Sequence, residues 1–299
     1  MIKSAHTSRP VCSDRAQRFL FEEADIRGDR VQLDAAYREI LAIHQYAYGV
    51  SRLLGEFLSA AVLLRTNLKF EGKLILQVRS EGQIPLLMVE CDHSLRLRGI
   101  ARGAEQATSN NNDQLLCNGQ LAITIDPTNG QRYQGIVPLQ RGSLAQSLDA
   151  YFEQSEQLKT RIWLAADGNR AGGLLLQQLP AQITHDEAQR LQHWKHACSM
   201  AATVKEAELL ELHAEHLLYR LYHQEPVRLF EPVPVSFHCT CSRERTRNAL
   251  VTLHPTELEE LLEELGSITM DCEFCNQHYC FNRNDLAGVL EGDRVKTLH

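Results

Sequence analysis

The sequence predicts an α+β protein: an N-terminal, mainly antiparallel sheet domain with helices, then a helical linker, then a small cysteine-rich C-terminal domain. Three observations predict it. Strand-like runs separated by turn signals dominate the first 180 residues; residues 181–231 show only helical spacing; and five of the nine cysteines crowd into residues 239–280. A chain of 299 residues is also longer than one ordinary domain of roughly 100 to 200 residues. We therefore expect domains at 1–180 and 232–299, joined by the linker.

In the first domain, Arg18–Asp25 and Asp29–Asp34 read as strands around an Arg27-Gly28-Asp29 turn. Ala35–Thr66 carries apolar residues at three- and four-residue spacing, including Ile40, Ile43, Val50, Leu53, Phe57 and Leu64. That pattern predicts two amphipathic helices broken near Tyr48-Gly49. Strands follow at Lys73–Arg79, Pro85–Cys91, Leu95–Ala101, Gln120–Ile125 and Arg132–Pro138, with turn signals at Glu81-Gly82 and Thr128-Asn129-Gly130. The polar stretch Ser109–Asp113 is expected to be a mobile loop tip. Gly142–Glu156 reads as a helix, and Arg161–Ala166 and Gly173–Leu179 as a strand pair. The glycine-rich Gly168–Gly173 joins those strands, so it reads as a hairpin rather than a phosphate cradle.

In the linker, Leu191, Trp194, Cys198 and Ala201 form one apolar stripe and Leu210, Leu217 and Leu221 another, with Glu206, Glu208, Glu211 and Glu215 outside. Such faces must pack on something else. Pro226, Pro232 and Pro234 end the helical pattern. In the tail, Val235–Cys239 reads as a short strand, Ser242–Leu253 and Pro255–Leu265 as helices, Gly266 as a helix stop, and Ile268 to Cys272 as a strand.

Composition narrows the function classes. Hydrophobic residues make up 43% and charged residues 23%, as in ordinary soluble proteins. The most apolar run, Leu58–Leu64, falls well short of the roughly 20 residues that span a bilayer. The N-terminal residues carry no apolar signal region, so a cytoplasmic protein without membrane contact is expected. Net charge is −7, from 31 basic and 38 acidic residues, and the tail alone holds six basic against eleven acidic. That balance suits neither nucleic acid nor an anionic membrane. There is no Walker loop, no GxGxxG after a strand and no nucleophile elbow, so no enzyme is expected.

The chemistry sits in Cys239-Thr240-Cys241 and Cys272-Glu273-Phe274-Cys275. Four thiolates in two close pairs are what a closed tetrahedral zinc site requires, and a small domain with little apolar bulk needs such a staple. Cys239, Cys241, Cys272 and Cys275 are therefore the expected ligands of one Zn2+ in the reduced chain. CxC is the unusual half: two cysteines one residue apart close only a small, strained ring, which suits a reversible bond. His238 and His278 flank the pairs and are expected to tune thiol reactivity rather than to ligate. His44, His185, His193 and His196 read as surface or partly buried histidines. Cys12, Cys91, Cys117 and Cys198 read mostly as core filling. Two other readings start from the same residues: a zinc-ribbon nucleic-acid adaptor using Arg243, Arg245 and Arg247, and a thiol oxidoreductase using the CxxC.

Taken with the sequence around them, these motifs resemble the bacterial redox-regulated heat-shock holdases, the 33 kDa chaperonin family. The resemblance rests on Cys239–Arg245 (CTCSRER), Cys272–Cys275 with Tyr279, and, in the first domain, Leu53–Glu56, Leu68–Gly72, Leu121–Asp126, Tyr133–Pro138 and Tyr151–Gln157. It runs from about Arg18 to Leu286, with Tyr46-Ala47-Tyr48 in place of the family's Tyr-Pro and with Cys280 as an additional thiol, expected to be a bystander. The resemblance implies an ATP-independent chaperone, inactive while four thiolates hold zinc. Oxidation by peroxide or hypochlorous acid, often with heat, would form the disulfides Cys239–Cys241 and Cys272–Cys275 through a sulfenic acid and expel zinc. The tail and linker would then unfold and expose apolar surface to unfolded client proteins, and the active form would be a homodimer.

Overall fold

The structure, a computed structural model, describes residues 14–290 except 141, 142, 157 and 252. Cys12 and the N-terminal stretch without a signal region lie outside the described residues. The chain divides into two compact units between His238 and Cys239.

In the first unit, β1 (Arg15–Phe21) and β2 (Ile26–Leu33) form an antiparallel pair in which Phe19 faces Gly28. The expected Arg27-Gly28-Asp29 turn therefore lies inside a strand, and the chain turns at residues 22–25 instead. Gly28 serves packing rather than turning: a Cβ there would sit 2.0 Å from Cζ of Phe19, so the ring fills the missing side chain's place. Helices α1 (Ala35–Ile43) and α2 (Tyr48–Thr66) follow, broken close to the expected position. Helix α2 is buried nearly all round, with Leu53, Leu54, Phe57, Leu58 and Leu63 at 0% exposure. A helix apolar on every side must be enclosed, and α2 packs against strands of both sheets of this unit.

Strands β3 (Gly72–Arg79), β4 (Leu86–Asp92) and β5 (Arg96–Arg102) form a meander. After the short α3 (Asn112–Leu115), β6 (Gln120–Pro127) pairs with β3 and with β7 (Tyr133–Pro138). The Ser109–Asp113 stretch is hydrogen-bonded to the rest of the unit. The Ser109 amide and that of the preceding Thr108 donate to Gln83 Oε1 (both 3.0 Å), and Arg52 donates to the Asn110 carbonyl at 3.2 Å. Helix α4 (Leu144–Tyr151) runs into a π-helical turn, Phe152–Glu156, before β8 (Thr160–Ala166) and β9 (Ala171–Gln178).

The linker helices are α5 (Glu187–Ala201), α6 (Glu206–Glu211) and α7 (Ala214–Tyr222), followed by the short strands β10 (Val227–Leu229), β11 (Val233–Pro234) and β12 (Ser236–Phe237). One six-stranded sheet runs β10-β1-β2-β9-β8, with β11 also on β1; the other runs β12-β5-β4-β3-β6-β7. The core around α2 joins their facing sides. A second apolar cluster unites Phe19, Phe21, Ile26, Leu174 and Leu176 of the first sheet with Trp194, Ala197, Ala201, Leu209, Leu217, Leu221 and Tyr222. The linker thus covers the other face of that sheet. Its stripes are rotated from the expected ones: Leu191 is exposed, Leu209 is buried where Leu210 is only half-buried, and Ala197 joins Trp194. Compact packing also continues past residue 231, because β11 pairs with β1 and β12 lies parallel to β5.

The second unit holds α8 (Arg243–Leu250), α9 (Pro255–Leu265), a hairpin of β13 (Ile268–Asp271) and β14 (His278–Phe281), and α10 (Ala287–Leu290). Gly266 ends α9 at φ 72°, the left-handed conformation that glycine adopts without strain. The core consists of Leu250, Leu258, Leu262, Ile268, Phe281 and Leu286. It is a small one.

Candidate metal centre

An irregular segment before α8 and a hairpin turn bring the cysteines together. Cys239-Thr240-Cys241 leads into α8, whose cap Ser242 accepts a hydrogen bond from the Arg245 amide at 3.2 Å. The Arg245 guanidinium reaches back to the Thr240 carbonyl at 2.9 Å and to its hydroxyl at 3.1 Å, which fixes the residue between the two thiols. Cys272–Cys275 forms the turn of the β13–β14 hairpin. The amides of Cys275 and Asn276 donate to the Cys272 carbonyl (3.2 and 2.7 Å), and Asn276 adopts φ 54°. Asparagine tolerates that left-handed conformation better than most residues. This tight turn points both thiols of the CxxC the same way.

The four Sγ atoms lie within 4.8 Å of one another, and all four cysteines are half-buried, with no disulfide between them. Cys239 Sγ is 3.7 Å from Cys272 Sγ, and Cys241 Sγ is 3.4 Å from Cys275 Sγ. A tetrahedron with metal–sulfur bonds of about 2.3 Å has sulfur–sulfur edges of about 3.8 Å. The donor set therefore fits a tetrahedral zinc ion in number, element and spacing, and its residues are the four that the sequence singles out. Among the described residues no other group of His, Cys, Asp or Glu converges in this way.

The Tyr279 hydroxyl donates to Cys241 Sγ at 3.1 Å. Burial pushes the Cys241 thiol up, but hydrogen bonds from Tyr279 and from neighbouring thiols outweigh it and hold its pKa below the ordinary value. At Cys272 and Cys275 burial prevails and the pKa rises. His278 pairs across the hairpin with Asp271 at 2.5 Å, outside the thiol cluster. The strand β14 that carries His278 and Tyr279 escapes the sequence reading, because four residues of mixed polarity give too short a pattern. Tyr279 had a signal only through the motif around the CxxC.

The remaining candidates disperse. Cys91 is buried in the main core, and burial raises its pKa; Cys198 is half-buried, with its thiol pushed up to about 12 by burial. Cys117 and Cys280 are exposed, so core filling does not describe Cys117. His196 lies 3.3 Å from Glu225 in an ordinary ion-pair geometry. Of the three arginines that could touch phosphate, Arg243 pairs with Asp285 at 2.9 Å and lies over the Phe281 ring, and Arg245 holds Thr240. The CxxC occupies a hairpin turn rather than the N-terminus of a helix, where thiol oxidoreductases place theirs.

Fold and site together define a two-unit α+β protein with linker helices folded over one sheet and a tail whose four thiols converge. Comparison with known proteins gives the family. The sequence pattern described as Hsp33 protein matches residues 14–282. The 33 kDa chaperonin of Pseudomonas paraeruginosa is 52% identical over 94% of this chain and 95% of its own, and that of Azotobacter vinelandii 53% identical over 93% and 95%. The crystal structure of the Thermotoga maritima 33 kDa chaperonin superposes with a TM-score of 0.78 at 21% identity, covering 94% of this chain and 99% of that one. The chain belongs to the Hsp33 family.

Proposed function

We propose that this protein is a redox-regulated, ATP-independent holdase of the cytoplasm that binds unfolded client proteins and catalyses no reaction. The observation that carries the reading is the convergence of four thiols within 4.8 Å in a unit whose core, among the described residues, has six buried apolar side chains. The names of its chaperonin relatives support the client-binding part. No helix among the described residues is long and apolar enough to cross a membrane.

Bound zinc would supply the cross-link between the CxC and CxxC segments that the small core does not. Cys239, Cys241, Cys272 and Cys275 would hold it as thiolates. On oxidation, a thiolate attacks the peroxide O–O bond, becomes a sulfenic acid and releases hydroxide. A second thiol then attacks that sulfur, and water leaves as the disulfide forms. Each disulfide takes two electrons from the protein and removes two of the four donors. We assign the pairs as Cys239–Cys241 and Cys272–Cys275. Every thiol is in reach of every other, so the assignment rests on the family resemblance and on the adjacency of each pair in sequence. With the tail unfolded, the linker over the first sheet loosens, and Phe19, Phe21, Ile26, Leu174 and Leu176 become apolar surface for a client at about 25 cal/mol per Å² buried. The oxidised form would act as a homodimer, without specific nucleic-acid or membrane contact, in keeping with its net charge of −7.

A redox titration tests this. Free thiols, released zinc and suppression of aggregation of a heat-unfolded client are followed together. We expect one zinc per reduced chain, lost in step with four thiols, and activity that rises as they go. Equal suppression by reduced and oxidised protein would overturn the reading.

A further inference from the structure

Linker helices α5 and α7 dock by apolar burial, through Trp194, Ala197 and Ala201 and through Leu217, Leu218, Leu221 and Tyr222. Helix α6 is different. It has six residues, and of these only Leu209 is buried. Leu209 and half-buried Leu210 give it less apolar contact than α5 or α7 has, and a polar contact adds to them in seating it on β8 and β9, against which it packs.

That contact is Arg30. It sits in β2 at 1% exposure, on the face of the sheet that the linker covers. Its guanidinium donates to the carbonyls of Leu209 and of Leu212, the latter at 3.4 Å, and on the sheet side to Val31 and to Gly173 at 3.2 Å. Leu209 lies in the last turn of α6 and Leu212 is its C-cap. Carbonyls there have no partner within the helix and carry the negative end of its dipole. No carboxylate among the described residues pairs with Arg30; the charge acting on it is another cation, Arg15, and burial together with Arg15 lowers its pKa. Gly172 completes the seat: a Cβ at that position would lie 2.6 Å from the Leu209 carbonyl oxygen. The end of α6 can approach the sheet only because that Cβ is missing.

We infer that Arg30 and Gly172 form the release point of the linker, a seat that holds α6 on the first sheet through its backbone and that comes apart as a unit when the linker lifts. The role follows from the kind of contact. Apolar faces separate gradually, but hydrogen bonds to a charged donor fail over a fraction of an ångström. Once α6 is off, a cation that was buried without a carboxylate partner regains water, and that hydration opposes the pull of the α6 carbonyls on its return. Arg30 is thus a positioning residue for the switch proposed above, and its importance to activity rests on that reading.

The test uses the full reduced chain with zinc bound and reads linker docking separately from chaperone activity. Arg30→Met keeps the length of the side chain and removes the donors. Arg30→Lys restores the charge on a single donor nitrogen. Gly172→Ala attacks the same seat from the other side. Limited proteolysis within residues 202–213 should speed up about 10- to 100-fold in Arg30→Met and in Gly172→Ala, the effect of losing charged hydrogen bonds. Arg30→Lys should fall between these and the parent. Zinc content and amide protection in β3 and β6 should stay unchanged, and both fast-cleaved variants should suppress client aggregation while still reduced. Parent-like cleavage of Gly172→Ala overturns the seat, whatever Arg30→Met does. Fast cleavage without activity in reduced variants, beside an active oxidised parent, overturns Arg30 as the release point and leaves the holdase reading standing. An inactive oxidised parent overturns the holdase reading and leaves the seat.

Discussion

The two units solve the same problem with unequal means. The first wraps an almost wholly buried helix, α2, between two sheets and shares one continuous core across both. The second gathers six apolar side chains beneath two helices and a hairpin, and its most specific feature is four sulfur atoms. Removing any one contact from the first unit leaves many others. Removing the point where the sulfurs meet leaves the second its small core and a few surface ion pairs such as Arg243–Asp285. The contrast teaches that a weak core is useful where unfolding is to be commanded chemically.

The largest effect should come from the sulfurs. Cys272→Ser, or a strong chelator acting on the parent, should abolish protection of the amides in α9 while those in β3 and β6 keep theirs. Structural zinc in small domains is worth about 10–16 kcal/mol, more than a small domain's total stability. Hydrogen exchange resolved by region checks this, and retained protection in α9 would erase the distinction between the units.

A paired core substitution sharpens it. Phe57 and Phe281 are both at 0% exposure, the first in α2 and the second beneath the Arg243 guanidinium, 4.6 Å from its ring centroid. Each change to alanine should cost about 3–5 kcal/mol. Phe281→Ala should appear as at least about a hundredfold weaker zinc affinity, because metal binding and folding are one event there. Phe57→Ala should lower the urea midpoint of the first unit and leave zinc affinity alone. Competition with a chelator of known affinity, beside urea unfolding, separates the two.

The smallest effect is electrostatic and confined to the first unit. Burial raises the Glu56 carboxyl to about 7, with Glu206 of α6 adding to the rise and Arg52 opposing it. The folded state therefore holds this proton more tightly than the unfolded chain does. Its contribution to stability is complete below about pH 4.5 and is lost as pH climbs toward 7. Glu56→Gln should flatten that part of the pH profile and should be relatively more stable than the parent at pH 8 than at pH 5. An unchanged slope in the urea midpoint between those values would remove Glu56 from the account.

The tail was the most legible part of the chain, because thiol spacing encodes chemistry directly and needs no knowledge of neighbours. Helix α9, with Gly266 behind it, was legible for a similar local reason. What stayed hidden depends on partners distant in sequence. Gly28 looks like a turn until Phe19 is known to lie across from it. Leu209 and Leu210 differ only in which faces the sheet. Arg30 reads as one more polar residue of a strand until its carbonyl partners from residues 209 and 212 are in place. The alternation of strands marked the α+β class, but nothing local says that they sort into two sheets or that β12 joins β5 in parallel.

Strand β10 stays antiparallel to β1 after α7, just as β9, which precedes α5, stays paired with β2. While those ladders persist, the intervening helices are a loop pinned at both ends, and undocking them frees no chain terminus. Return is then a ring closure within one molecule, with a rate independent of dilution and an entropic toll that grows only with the logarithm of loop length.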